Sequence, residues 1–136
     1  MQILKLKLKL IWLILRYQWW DHIDFLKCIK ILIDIKIVKY TDIFGRRSII
    51  SEMDIDTLSA MRRAVNLINR ILKDDYMAIA ESELGAKYDP DLIGTGVNHE
   101  LLIKSDELEN QDWDQFWDII SGRNNEPGSN IKHWWL

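Results

Sequence analysis

The sequence predicts a mainly α-helical single domain of about three main helices. Two long apolar stripes repeat in steps of three or four residues, a third is rich in aromatics, and Gly or Asp-Pro breaks fall between them. A chain of 136 residues can bury one real core but not two comfortable ones, so residues 1–136 read as one domain. A hydrophobic fraction of 48% against 29% charged excludes both a disordered chain and a membrane-embedded one.

Residues 1–18 form a strand or arm. Lys and Leu alternate strictly from Lys5 to Leu10, the period of a half-buried strand with its lysines on the wet face. No second convincing strand exists to pair with it, so it either pairs with its own copy in an oligomer or is the frayed start of the first helix. The apolar run Leu10–Leu15 is short for a signal peptide and lacks a small-residue cleavage site. It also falls short of the roughly 17–25 residues a membrane span needs, so no stable membrane insertion is expected. The Lys, Leu and Trp chemistry suits an interfacial segment, but the period of two does not.

The first stripe is Trp19, Ile23, Leu26, Ile29, Ile33, Ile37, Tyr40 and Phe44, with Gly45 as a natural stop. Phe25, Cys28, Ile31, Leu32, Ile35 and Val38 widen it until the helix must be buried on more than one side. The second runs Leu58, Met61, Val65, Ile68, Leu72, Tyr76 and Ile79, capped by Asp54 or Asp56 and closed by Gly85. Residues 86–98, with Asp89-Pro90-Asp91 and Gly94-Thr95-Gly96, read as loop. A third helix is expected from Ser105 to Ser121, with Leu108, Trp113, Phe116, Trp117 and Ile120 inward and Gly122 as stop. Residues 123–136 form a turn at Pro127-Gly128 and an apolar tail that must dock on this core or on another subunit.

Charge divides the chain: residues 1–50 carry a net +6 and residues 51–136 a net −9, so the halves should attract. Seven Trp, six of them in the pairs Trp19-Trp20, Trp113/Trp117 and Trp134-Trp135, is a heavy load of apolar surface, which favours a homo-oligomer. A lone cysteine, Cys28, permits no intrachain disulfide and reads as a buried thiol.

No catalytic or metal motif is legible, and no cofactor is called for. Gly94-Thr95-Gly96 lacks the strand, third Gly and helix of a dinucleotide fingerprint. His22, His99 and His133 are scattered without zinc-helix spacing. The acidic run Asp106, Glu107, Glu109, Asp112, Asp114 and Asp118 is the pattern of a wet helix face. The polar feature with most content is the second helix, where Arg62, Arg63, Asn66, Asn69 and Arg70 offer planar, permanently charged donors suited to phosphate. A solvated face paired with the acidic half is the commoner reading of such a pattern.

Asp24-Phe25-Leu26, the segment Met61-Arg62-Arg63-Ala64-Val65-Asn66-Leu67-Ile68-Asn69-Arg70-Ile71-Leu72, then Asp74-Asp75-Tyr76, and the closing Trp134-Trp135 resemble a group of small tailed-bacteriophage proteins. In that group an Asp commonly follows the Trp pair; here Leu136 does. The resemblance implies action in the cytoplasm of an infected bacterial host and supplies no catalytic residues. By analogy with phage accessory proteins, the expectation is binding rather than catalysis. The concrete form is counter-defence by sequestering a nucleotide immune signal, with Arg62, Arg63 or Arg70 on the phosphates, Asn66 and Asn69 beside them, and Tyr76 as a stacking surface. The alternatives are a protein-binding inhibitor or adaptor of a host protein, and a virion or assembly component.

Overall fold

A computed structural model describes residues 2–16, 22–46, 52–92 and 96–134. They form six α-helices: α1 (Gln2–Arg16), α2 (His22–Arg46), α3 (Glu52–Lys73), α4 (Tyr76–Leu84), α5 (Gly96–Ser121) and α6 (Ile131–Trp134), with one 3-10 turn at Pro90–Leu92. The principal contacts run from neighbour to neighbour: α1 on α2, α2 on α3, α3 on α5, and α5 on both α4 and α6. The mainly helical class is as the sequence predicts, but the division into helices is finer.

The N-terminal segment is helix, and no strand occurs among the described residues. Lys and Leu are both strong helix formers, and a lone strand would leave its backbone groups unpaired. Coiled into a helix, the alternation places Ile3, Leu6 and Leu10, at steps of three and four, partly buried on the side facing α2, while Lys5, Lys7 and Lys9 stay in solvent. The cost of that register is that Leu4 and Leu8 are left exposed.

Helix α2 is buried on two sides, as its widened stripe requires. Leu26 and Ile33 are inaccessible, and Cys28, Ile31 and Ile35 are nearly so, because α1 and α3 cover it from different directions. Leu26 and Ile33 join Ala60, Met61, Ala64, Leu67, Ile68 and Ile71 of α3 and Phe116, Ile119 and Ile120 of α5 in a single core. Two fully buried alanines on α3, Ala60 and Ala64, and a third on α4, Ala80, let neighbouring helices approach closely. Burying one Leu or Ile side chain in such a core contributes about 1.5–3 kcal/mol.

The long second stripe is two helices. The chain breaks at Asp74, whose φ of 50° is left-handed, a conformation Asp tolerates better than most residues. The turn rotates Tyr76 inward and leaves Ile79 at the surface. The third helix begins at Gly96, nine residues before the expected Ser105, so the last three residues of the expected loop, 96–98, are helical. Asn98 explains why: buried, it donates through Nδ2 to the carbonyls of Asp89 (2.6 Å) and Leu92 (2.9 Å) and accepts the Asp89 N–H (3.0 Å). Those bonds lash the 3-10 turn to the start of α5.

The tail docks on its own core. Trp134 is wholly inaccessible, and its Nε1–H donates to the Gly128 carbonyl at 2.7 Å. Gly128 has φ of +79°, and a Cβ there would collide with the backbone of Asp56 and Thr57, so the turn presses directly on the start of α3. Trp134 is thus a core residue, whereas Trp117 is 41% exposed. Trp19, Trp20 and Trp135 lie outside the described residues.

Candidate functional site

Helix α3 turns Arg63, Asn66 and Arg70 to one side, because positions i, i+3 and i+7 share a helix face. Opposite stands the C-terminal half of α5, with Gln115, Asp118 and Ile119, and the turn after it closes one end with Asn124 and Glu126. Between them lies a groove of about 470 Å³, floored by Leu67 and Ile119 and otherwise polar. Of the residues singled out in the sequence, the structure brings Arg63, Asn66 and Arg70 together here. Arg62 and Asn69 are exposed but do not line the groove, each lying one position and so about 100° away from a residue that does.

Tyr76 has another role than the stacking surface foreseen for it. It is only 3% exposed, and its hydroxyl donates to Asp112 Oδ2 at 2.8 Å. The other oxygen of Asp112 meets Arg70 Nη2 at 2.6 Å. Asp112 is itself buried, a correction to its placement on the wet face of the acidic helix. The network joins α3, α4 and α5 at one point. Burial first, and then the hydrogen bond to Asp112 and its charge, push the Tyr76 hydroxyl far above its usual pKa, so it stays protonated and donating. Arg70 keeps 63% of its side chain exposed, so a guanidinium anchored from behind by a buried carboxylate still offers free N–H groups to the groove.

The groove is close to electrically neutral. Among the described lining residues two cations, Arg63 and Arg70, face two anions, Asp118 and Glu126; Arg63 pairs with Glu126 at 2.7 Å, while Arg70 pairs with Asp112 and Asp118 with Arg123 (2.6 Å) just outside the lining. Asn124 donates to the second oxygen of Asp118 at 2.9 Å. Both partners of the Arg63–Glu126 pair are 44% exposed, which limits it to about 0–1 kcal/mol and makes it easy to exchange.

Sequence reasoning missed Asp112, Gln115, Asn124 and Glu126. A signal existed only for the first: Leu101, Leu108, Asp112, Phe116 and Ile119 share the inward register of α5, and a carboxylate in that register demands buried partners. The other three come together only through folding of the 122–130 turn. No cluster of three or more His, Cys, Asp or Glu fit to hold a metal occurs among the described residues. No described helix is long and apolar enough to cross a membrane. Cys28 is buried, and burial, reinforced by Asp24, raises its thiol pKa, which disfavours the reactive thiolate. No protein-family model, curated protein or solved structure matches the chain.

Proposed function

We propose that the chain acts by binding, and that the α3/α5 groove seats a small phosphate-bearing ligand, such as a nucleotide signal, that it withholds from other proteins. The observation that carries this reading is the convergence of Arg63, Asn66 and Arg70 on one groove, with the Arg70 guanidinium held in place by Asp112. A pre-positioned fork loses less freedom on capturing a phosphate than a free one. An incoming phosphate would replace Glu126 on Arg63 and bond to the free edge of Arg70, while Asn66, Gln115 and Asn124 supply amide groups for the rest of the ligand. Among the described residues no aromatic side chain lines the groove, so their contribution to recognition is hydrogen bonding rather than base stacking. The resemblance to small phage proteins supports a setting in an infected bacterium, where sequestering an immune messenger would be counter-defence.

The test is a thermal-shift screen against cyclic di- and trinucleotides. Ligand at a thousand times its dissociation constant adds about 4 kcal/mol to stability. Arg63→Ala and Arg70→Lys are the variants of choice: the second keeps a cation beside Asp112 but removes the planar fork. A hit that both variants weaken tenfold or more supports the reading. No shift with any nucleotide, or one that both variants retain, overturns it.

A protein partner is the second reading, favoured by the neutral charge balance of the groove and by one aromatic surface. Trp117 is 41% exposed and stacks with Trp113 and Phe25, at ring separations of 6.4 and 6.2 Å, beside a chain that also exposes Ile23. Exposed Trp and its aromatic neighbours are the composition of binding hot spots. A host protein co-purifying in stoichiometric amount, and lost on Trp117→Ala, would establish it.

A further inference from the structure

Helices α1 and α5 lie at separate places in the run of neighbours, α1 packed on α2 and α5 on α3, α4 and α6. Each carries an outward face that the described residues leave uncovered. On α1 the face is Leu4 and Leu8, 54% and 56% exposed and one turn apart, with Lys5 and Lys7 exposed beside them. The helix contains four Lys/Arg and no Asp or Glu. On α5 the face is Leu102 and Ile103, 44% and 46% exposed, followed one turn later by Asp106 and Glu107 and further on by Asp114, all exposed. That helix holds seven carboxylates against a single Lys. Lys5, Lys7, Asp106 and Glu107 make no ion pair among the described residues.

The two faces have the same construction with opposite sign: a pair of exposed aliphatics with charges alongside that find no ion-pair partner among the described residues. We infer that they are the two halves of one interface, α1 of one copy lying along α5 of another, with Leu4 and Leu8 against Leu102 and Ile103 and Lys5 and Lys7 toward Asp106 and Glu107. Burial of four aliphatics supplies the attraction, and the charges set partner and register, since a like-charged pairing of α1 with α1 or α5 with α5 is repelled. The interface is heterologous, so each copy keeps one face of each kind for a further neighbour unless a ring or reciprocal pair closes.

The rest of the molecule decides between this occupant and an anionic lipid surface, which α1 alone would also suit. Setting the four cations of α1 aside from the net −3 leaves a body of −7, which an anionic bilayer repels but a second copy presents as the matching face. Lys9, on the same helix, is already close enough to Asp34 of α2 to oppose the rise that burial causes in that carboxyl's pKa, so the free charge of the face lies with Lys5 and Lys7.

The inference is independent of the α3/α5 groove, and its experiment reads mass rather than ligand. Sedimentation of the full chain at low salt should give a mass above one chain that falls as salt rises. Lys5→Glu/Lys7→Glu should sediment as a monomer, and so should Asp106→Lys/Glu107→Lys. Mixing the two variants should restore association, because each then offers the other a face of opposite charge. All the substituted positions are exposed, and unchanged circular dichroism would show both variants folded; Leu4→Ser/Leu8→Ser gives a third, uncharged route to the monomer. A wild-type monomer at high concentration overturns the inference, as does a mixture that stays monomeric. A monomer that floats with anionic vesicles and is released by Lys5→Glu/Lys7→Glu assigns the face to a membrane surface and overturns it as well.

Discussion

Removing Arg70 should destabilise this protein more than removing Asp112, even though the two share one ion pair. Arg70→Ala leaves a carboxylate that is 1% exposed with the Tyr76 hydroxyl as its remaining partner. Breaking a buried pair from the accessible side strands the charge, which costs about 3–5 kcal/mol; Tyr76 still donates here, so the lower end applies, about 3 kcal/mol. Asp112→Ala strands nothing charged, because Arg70 is 63% exposed and rehydrates. What it leaves is the buried Tyr76 hydroxyl without an acceptor, about 1–3 kcal/mol, with 2 kcal/mol as the central figure. In the double variant the penalty should be close to that of Asp112→Ala alone, so the two changes are strongly non-additive. Urea unfolding of the three variants measures this directly, with midpoint shifts at constant slope. An Arg70→Ala variant within about 0.5 kcal/mol of wild type would mean that Asp112 is hydrated or repartnered and that the network does not join α3, α4 and α5 as described. The same asymmetry is why Arg70→Lys, not Arg70→Ala, separates ligand binding from folding.

Three further outcomes follow from single sites. Gly128→Ala places a Cβ against the Asp56 and Thr57 backbone at a φ of +79°, and should cost about 3 kcal/mol or more by displacing the turn that holds Trp134; a urea unfolding midpoint well below that of wild type, followed by circular dichroism, reads it. The raised pKa of Tyr76 means that its contribution is complete below the unfolded value near 10 and declines as pH rises above it, since only the unfolded chain ionises readily there; Tyr76→Phe should flatten that alkaline decline in chemical denaturation. The Cys28 thiol should react with an aromatic disulfide reagent only as fast as the protein opens, and fully in denaturant; rapid reaction of the native chain would contradict its burial.

Helical class, the long buried α2, the burial of Cys28 and the stop at Gly85 were legible because each depends on local periodicity or on one residue's backbone preference. The Lys/Leu alternation misled because six residues of period two are also compatible with a helix, and only the presence or absence of a partner strand chooses between them. The break at Asp74 and the early start of α5 depend on where Tyr76 and Asn98 find hydrogen-bond partners, at Asp112 and at the Asp89 and Leu92 carbonyls. Those partners are up to 36 residues away in the chain. Of the candidate site, the sequence by itself determined that one helix carries a dense row of Arg and Asn. Tertiary structure decided which of them share a groove, that Glu126 and Asp112 neutralise Arg63 and Arg70, and that Tyr76 is a buried donor, because charge pairing and burial are set by what packs opposite a helix face and not by the face itself.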